Sequence, residues 1–244
     1  RDVRRVRRAV RGCDAVIHGA ALKIIPAGEY NPQETCKTNI TGSHNVIEAC
    51  IDGGVSRLVC VSSDKAVAPV NLYGATKMCM EKLATLASQY SNDTAITVVR
   101  YGNVIGTRAS ILTMLRDMAA AGSIKITHPE MTRFWITLNQ ACSFVTTALW
   151  MGESGAVYIP KLRSTRVEDL CRHLYPLVPV EYIGMRPGDK LGEWMSNEYE
   201  VLEDVGWAHV IRLKGHMSEA WVPGQKPYSS DDCVVPAAEL LSEP

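Results

Sequence analysis

Three short apolar runs, with helical segments between them, restrict this chain more than any other feature. They are residues 14–21 (DAVIHGAA), 57–63 (RLVCVSS) and 95–104 (AITVVRYGNV). Runs of this length and composition read as strands buried on both faces, as in a parallel sheet. A helix is predicted over 31–52, with Val46, Ile47, Cys50 and Ile51 on one face and Gly53 and Gly54 at its end. A second is predicted over 73–90, with Leu83, Leu86 and Ala87 in its apolar stripe. Strands joined by helices of this length imply right-handed crossovers and an α/β, doubly wound parallel sheet. Ligands of such sheets bind beyond the carboxyl ends of the strands. Lys23, Ser62 to Lys65 and Tyr101 to Asn103 follow those ends. Before the first run, Val3, Val6, Ala9 and Val10 recur at helical spacing among six arginines.

After Val104 the rhythm loosens. Helices are predicted over 111–121, 134–150 and 166–174, and strands over 156–160 and 180–184. Beyond Gly184, Pro, Gly and Trp punctuate the chain, which suggests a smaller, interleaved second domain. The expected division assigns 1–104 and about 131–165 to the sheet domain, and 105–130 and 166–244 to the smaller one. The 244 residues are 46% apolar, enough for a full core. Lys plus Arg equals Asp plus Glu at 26, so no basic excess points to nucleic acid. No apolar run approaches the roughly 18 residues of a membrane helix. Eight cysteines without a CxxC pair suggest free thiols in a reducing cytoplasm, and the six scattered histidines suggest no metal site.

The chemistry concentrates in SSDKAVAPVNLYGATK, residues 62–77. Tyr73 and Lys77 stand at i and i+4, on one helix face. A nearby ammonium favours the phenolate and makes tyrosine a usable base for a sugar hydroxyl. Taken alone, this pair could be a surface feature, and Asp64-Lys65 a solvated loop pair. Their position after a buried strand ending in Ser62 and Ser63 sets them apart.

These segments resemble the extended short-chain dehydrogenase/reductases, and more narrowly the inverting UDP-N-acetylglucosamine 4,6-dehydratases. The matching stretches are DAVIHGAALK, NPQETCKTNITGSHNVIEA, SSDKAVAPVNLYGATK, VVRYGNVIGTRAS, MTRFWITL, RPGDKL and PYSS, in family order. The resemblance implies a Rossmann-like fold, a bound NADP (with NAD also open), a UDP-sugar substrate and a homo-oligomer. It implies no nucleic-acid or membrane partner. Tyr73 would take the C4 hydroxyl proton, supported by Lys77. Lys65 would be the C5 base and Asp64 the acid for the departing C6 hydroxyl, with Ser63 at the C4 oxygen. Such roles need a neutral lysine and a protonated aspartate, and desolvation is expected to favour both. Ala20, Ala21, Asn39, Ser62, Tyr73, Lys77, Tyr101, Gly102, Asn103 and Val104 match cofactor-facing positions. Lys23, Asn103, Arg133 and Arg186 match positions near the UDP-sugar. The alanines could equally be packing, Lys23 a loop lysine, and MTRFW a core patch with one exposed arginine. An epimerase or reductase of the same fold, or a non-catalytic UDP-sugar binder, are the competing readings.

Two departures accompany the resemblance. Asp189 stands where the family usually has Glu, and Gly192 where it has His. No glycine-rich phosphate turn precedes Asp14. The expectation is therefore that about 60 residues with three strands belong upstream of Arg1. Without them, the edge beside 14–20 would be unpaired, and this chain alone would bind cofactor poorly and fold badly.

Overall fold

A computed structural model of the protein describes residues 1–107, 110–212 and 226–242. The strands are β1 (Ala15–His18), β2 (Arg57–Val61), β3 (Ala95–Val99), β4 (Asn103–Val104), β5 (Ile124–Ile126), β6 (Thr132–Ile136), β7 (Ala156–Ile159), β8 (Arg163–Arg166), β9 (Val180–Tyr182), β10 (Glu203–Asp204) and β11 (His209–Arg212). The main sheet has the order β1-β2-β3-β7-β11-β10. Its first four strands run parallel, and β11 and β10 close it antiparallel.

Register decides which side chains meet. Val16, Leu58 and Ile96 stand level, and two residues on so do His18, Cys60 and Val98. Because side chains alternate along a strand, this set faces helices Gly42–Asp52 and Leu72–Ala87, where Ile47, Cys50, Met80 and Ala84 complete one core. Val59 and Val99 face the other way, onto Phe144, Val145 and Ala148 of helix Leu138–Met151. Helices thus cover both faces, as the Rossmann-like reading requires. Helix Val3–Val10, capped by Asp2, packs on Gly42–Asp52. A third core under Leu115, Ile124, Trp135 and Leu170 joins the two small sheets β4-β6-β8 and β5-β9.

Several boundaries differ from the sequence reading. The predicted helix over 134–150 is a strand, β6, followed by a helix that starts only at Leu138. The run TRFWI is buried at every position, and the capping box of Thr137 and Gln140 marks the change. The single strand expected over 95–104 divides: β3 stays in the main sheet and β4 leaves for the small one. The helix expected over 31–52 is three pieces, Pro32–Cys36, a wider π turn over Lys37–Thr41, and Gly42–Asp52. β10 and β11, which complete the main sheet, come from the segment 166–244 assigned to the smaller domain. Residues 213–225 of that segment, and Arg108 and Ala109 of the 98–110 match, lie outside the described residues. Among the described residues β1 is an edge strand, and its Ile17 is 52% exposed.

Candidate active site

The carboxyl ends of β1, β2 and β3 meet one loop from the carboxyl-terminal half. Beyond β2, Ser62 N–H donates to Val99 O at 2.7 Å and Asp64 N–H to Tyr101 O at 3.1 Å, which fixes the turn against the end of β3. Ser63 opens a short 3-10 turn, Asp64–Ala66: its Oγ accepts Lys65 N–H at 3.3 Å and donates to Asp64 Oδ1 at 2.8 Å. Asp64 is fully buried, and Lys65 Nζ reaches its Oδ1 at 3.0 Å and Asn103 Oδ1 at 3.3 Å.

The helix bearing Tyr73 and Lys77 sits directly on this turn. Asn71 caps it, accepting Gly74 N–H at 2.8 Å, and its Nδ2 donates to Gly188 O at 3.0 Å. A side chain at Gly74 would lie 3.1 Å from both the Lys65 carbonyl carbon and Pro69 Cβ, and nearer still to Lys65 O. Only glycine lets the helix approach this closely. Further along the helix, Glu81 holds the buried Arg100 through two bonds, Nε–Oε1 at 3.0 Å and Nη2–Oε2 at 2.6 Å. Arg100 also donates to Met195 O at 2.6 Å and to Glu200 at 2.9 and 3.0 Å.

The electrostatics correct two sequence expectations. Desolvation was to leave Lys65 neutral. Burial does act in that direction, but Asp64 and then Glu193 outweigh it, and the ammonium is held above its ordinary range. Lys77 was to lower the Tyr73 phenol. Its Nζ instead donates to Val61 O at 2.7 Å, and burial raises Tyr73, opposed by the Lys65 ammonium and a bond with Ser63. Burial brings Lys77 itself down to about 8 and pushes Tyr101 up to about 12. At the end of β1, His18 bonds Ser43 at 2.9 Å, and burial lowers it to about 4.

The other sequence candidates divide between site and scaffold. Asn39, on the π turn, bonds both backbone groups of Leu22 (2.8 and 2.9 Å) and Thr76 Oγ1 (3.0 Å), so it ties the loop after β1 to the tyrosine helix. Ala20 is exposed and Ala21 half-buried on that loop. Tyr101, Gly102, Asn103 and Val104 are half-buried beyond β3. Lys23 is exposed, and Arg186 is exposed with Asp189 as its partner at 3.2 Å. Arg133 is buried, not an exposed arginine on a core patch. It donates to the carbonyls of Thr132 (2.6 Å), Leu191 (3.0 Å) and Lys190 (3.0 Å). Sequence reasoning missed Asn71, Lys190 and Glu193. The spacing of Lys190 and Glu193 was visible, but nothing local links either to Lys65.

Two buried polar atoms at the strand ends, Ser62 Oγ and Asp64 Oδ2, have no hydrogen-bond partner among the described residues. Buried polar groups are rarely left so. Beside them the loop after β1 carries only small side chains at 19–21, with open space around Gly19. Unpaired donors and acceptors next to an uncrowded loop fit a flat, polar-edged group such as a nicotinamide nucleotide.

A parallel sheet covered by helices on both faces, with a tyrosine–lysine helix at its carboxyl edge, has the short-chain dehydrogenase/reductase architecture. The chain matches the polysaccharide biosynthesis protein family over residues 1–214, and it belongs to that family. It is 43% identical over 199 residues to the UDP-N-acetylglucosamine 4,6-dehydratase (inverting) of Campylobacter jejuni, covering 80% of this chain and 60% of that protein. It therefore spans about 60% of the length of these curated relatives. Among solved structures, Pen from Bacillus thuringiensis superposes with a TM-score of 0.87 at 33% identity, covering 98% of this chain and 77% of that one. DesIV, a dTDP-glucose 4,6-dehydratase from Streptomyces venezuelae solved with NAD bound, shares the fold: TM-score 0.70, 21% identity, 78% of this chain and 66% of that one.

Proposed function

We propose that the protein containing this chain is a UDP-N-acetylglucosamine 4,6-dehydratase that inverts C5. The observation that carries the reading is the direct contact of Lys65 Nζ with Asp64 Oδ1, 3.0 Å, on the turn against which the tyrosine helix packs. Oxidation at C4 alone, as in an epimerase, needs Tyr73 and Lys77 but no second acid–base pair. The likeness to the Campylobacter dehydratase supports the same choice.

A nicotinamide cofactor, faced by Ala20, Ala21, Asn39, Ser62, Lys77 and Tyr101 to Val104, supplies reversible hydride storage when bound. NADP follows the family resemblance, as does a homo-oligomer; the neighbour solved with NAD supports the nicotinamide class. Tyr73 exchanges a proton with the C4 oxygen, Ser63 bonds that oxygen, and the Lys65 ammonium opposes the burial that keeps the phenol protonated. The Asp64–Lys65 contact also answers how a charged lysine serves as base. One proton moving from Nζ to the carboxylate gives an amine and a carboxylic acid together, without an outside donor. The amine then takes the C5 proton, which the C4 ketone has acidified. The acid protonates the C6 hydroxyl, the C6–O bond breaks, C5=C6 forms and water leaves. The pair returns to ammonium and carboxylate. Lys23, Asn103, Arg133 and Arg186 are the proposed UDP-sugar neighbours. Of these, Arg133 acts through the Lys190–Leu191 backbone that it holds.

The test incubates the product of the full reading frame with UDP-N-acetylglucosamine in heavy water and follows the sugar by proton NMR. A 4-keto-6-deoxy product with deuterium at an inverted C5 is expected. Retained C5 geometry rejects the inverting assignment. An intact C6 hydroxyl with an altered ring centre means an epimerase, and activity surviving Asp64→Ala and Lys65→Ala would say the same. Binding without turnover leaves the non-catalytic reading.

A further inference from the structure

A second carboxylate reaches Lys65 from the carboxyl-terminal loop. Glu193 is buried, and its Oε1 lies 3.5 Å from Lys65 Nζ and 3.8 Å from Arg133 Nε. Its Oε2 is 3.8 Å from Lys190 Nζ and makes no hydrogen bond among the described residues. The backbone at this position is fixed on both sides: Glu193 N–H donates to Ser230 Oγ at 2.8 Å, and Glu193 O accepts Ser230 N–H at 2.9 Å. The nearby Arg133 is itself pinned by three backbone carbonyls. A buried carboxylate with one oxygen unbonded is costly to keep. Packing does not explain it, because an apolar side chain of the same size would fill the space.

We propose that Glu193 is a positioning residue for Lys65: its fixed carboxylate sets where the Lys65 ammonium stands and keeps it charged until Asp64 takes the proton. The inference rests on the dehydratase reading of Asp64 and Lys65. The groups that face Lys65 are Asp64 from its own turn, Glu193 from the loop, Arg133 from β6 and Tyr73 from the helix, with Lys190 on the far oxygen of Glu193. Asp64 and Glu193 favour the ammonium, and Arg133 opposes it. Removing the Glu193 charge therefore makes the free amine accessible at lower pH.

The test is competitive labelling of the full-reading-frame protein with acetic anhydride over a pH series. Modification of the Lys65 peptide is read by mass spectrometry against Lys161, which pairs with Asp204 away from the site. An opposite charge at this separation shifts a titration by about one to two units, so Glu193→Gln is expected to raise Lys65 labelling about 10- to 100-fold at a given pH below its midpoint. Glu193→Asp keeps the charge but withdraws it by one methylene, and a smaller rise is expected. Unchanged Lys65 labelling in both variants overturns the proposal. If Glu193→Gln does not fold, Glu193→Asp decides, and wild-type labelling there overturns it. Labelling does not depend on turnover. A shift in a protein without dehydratase activity keeps the Glu193 assignment and rejects the enzymatic reading. An unmoved label in an active dehydratase does the reverse.

Discussion

Gly74→Ala sets two effects of opposite sign against each other. Gly74 is the third residue of helix Leu72–Ala87. By propensity alone, alanine in a helix interior is favoured over glycine by about 0.5–1 kcal/mol. A methyl at this position, however, falls more than 1 Å short of ordinary contact with the Lys65 carbonyl oxygen, and Pro69 Cβ blocks it as well. The obstacle is mostly backbone and cannot rotate away. Overpacking of this kind costs about 1–3 kcal/mol. The net expectation is a loss of about 1–2 kcal/mol, which in a domain of this size lowers Tm by roughly 2–8 °C. The Lys65 turn must retreat by about 1 Å, and misplacement on that scale costs on the order of 10²-fold in rate. Gly42→Ala is the control, because its new methyl meets Lys37 O at an ordinary 3.5 Å. Thermal melts by circular dichroism and NMR turnover on the full-reading-frame protein read both effects. A higher Tm with unchanged turnover in Gly74→Ala would refute the argument that this helix is seated on the Lys65 turn.

Two further outcomes follow from the buried charges. His18 has its folded-state pKa lowered from 6.5 to about 4, so as pH falls the unfolded chain takes up the proton first. Stability contributed by the neutral imidazole is present above about 6.5 and lost by about 4, in total roughly 3 kcal/mol; chemical denaturation across that window should show it, and His18→Gln should flatten it. Glu81→Gln breaks the buried bidentate pair with Arg100 and is expected to cost about 3 kcal/mol in urea unfolding, with a loss below 1 kcal/mol refuting a structural role for the pair.

Much of this was legible in the chain because it is written locally. The second and third strands appear as buried runs because nothing exposed interrupts them, the first shows as an apolar run although Ile17 is exposed at the edge, and the tyrosine–lysine helix was announced by spacing. The segment 132–151 was misread because strand and helix are equally apolar there. The informative signal was the Thr137–Gln140 pair between them, not hydrophobicity. The protonation of Lys65 was only half legible: Asp64, its larger support, is the adjacent residue, but Glu193 is brought by the fold from 128 positions away. Arg133 was placed near the UDP-sugar by the family resemblance alone. The carbonyl of its neighbour Thr132 and two carbonyls of the 190–191 loop hold its guanidinium fork.

Arg100 stands one residue before Tyr101, whose carbonyl anchors Asp64, and a single guanidinium grips both the tyrosine helix and the loop that carries Glu193. The loop and the helix are therefore not independent parts. A ligand that orders the 193–200 loop also steadies the helix beneath Tyr73 and Lys77, and by reciprocity a ligand seated on that helix tightens the loop. Affinity for a ligand at one of these elements should consequently depend on whether the other element is already ordered, with the size of that cooperation set by one buried side chain, Arg100.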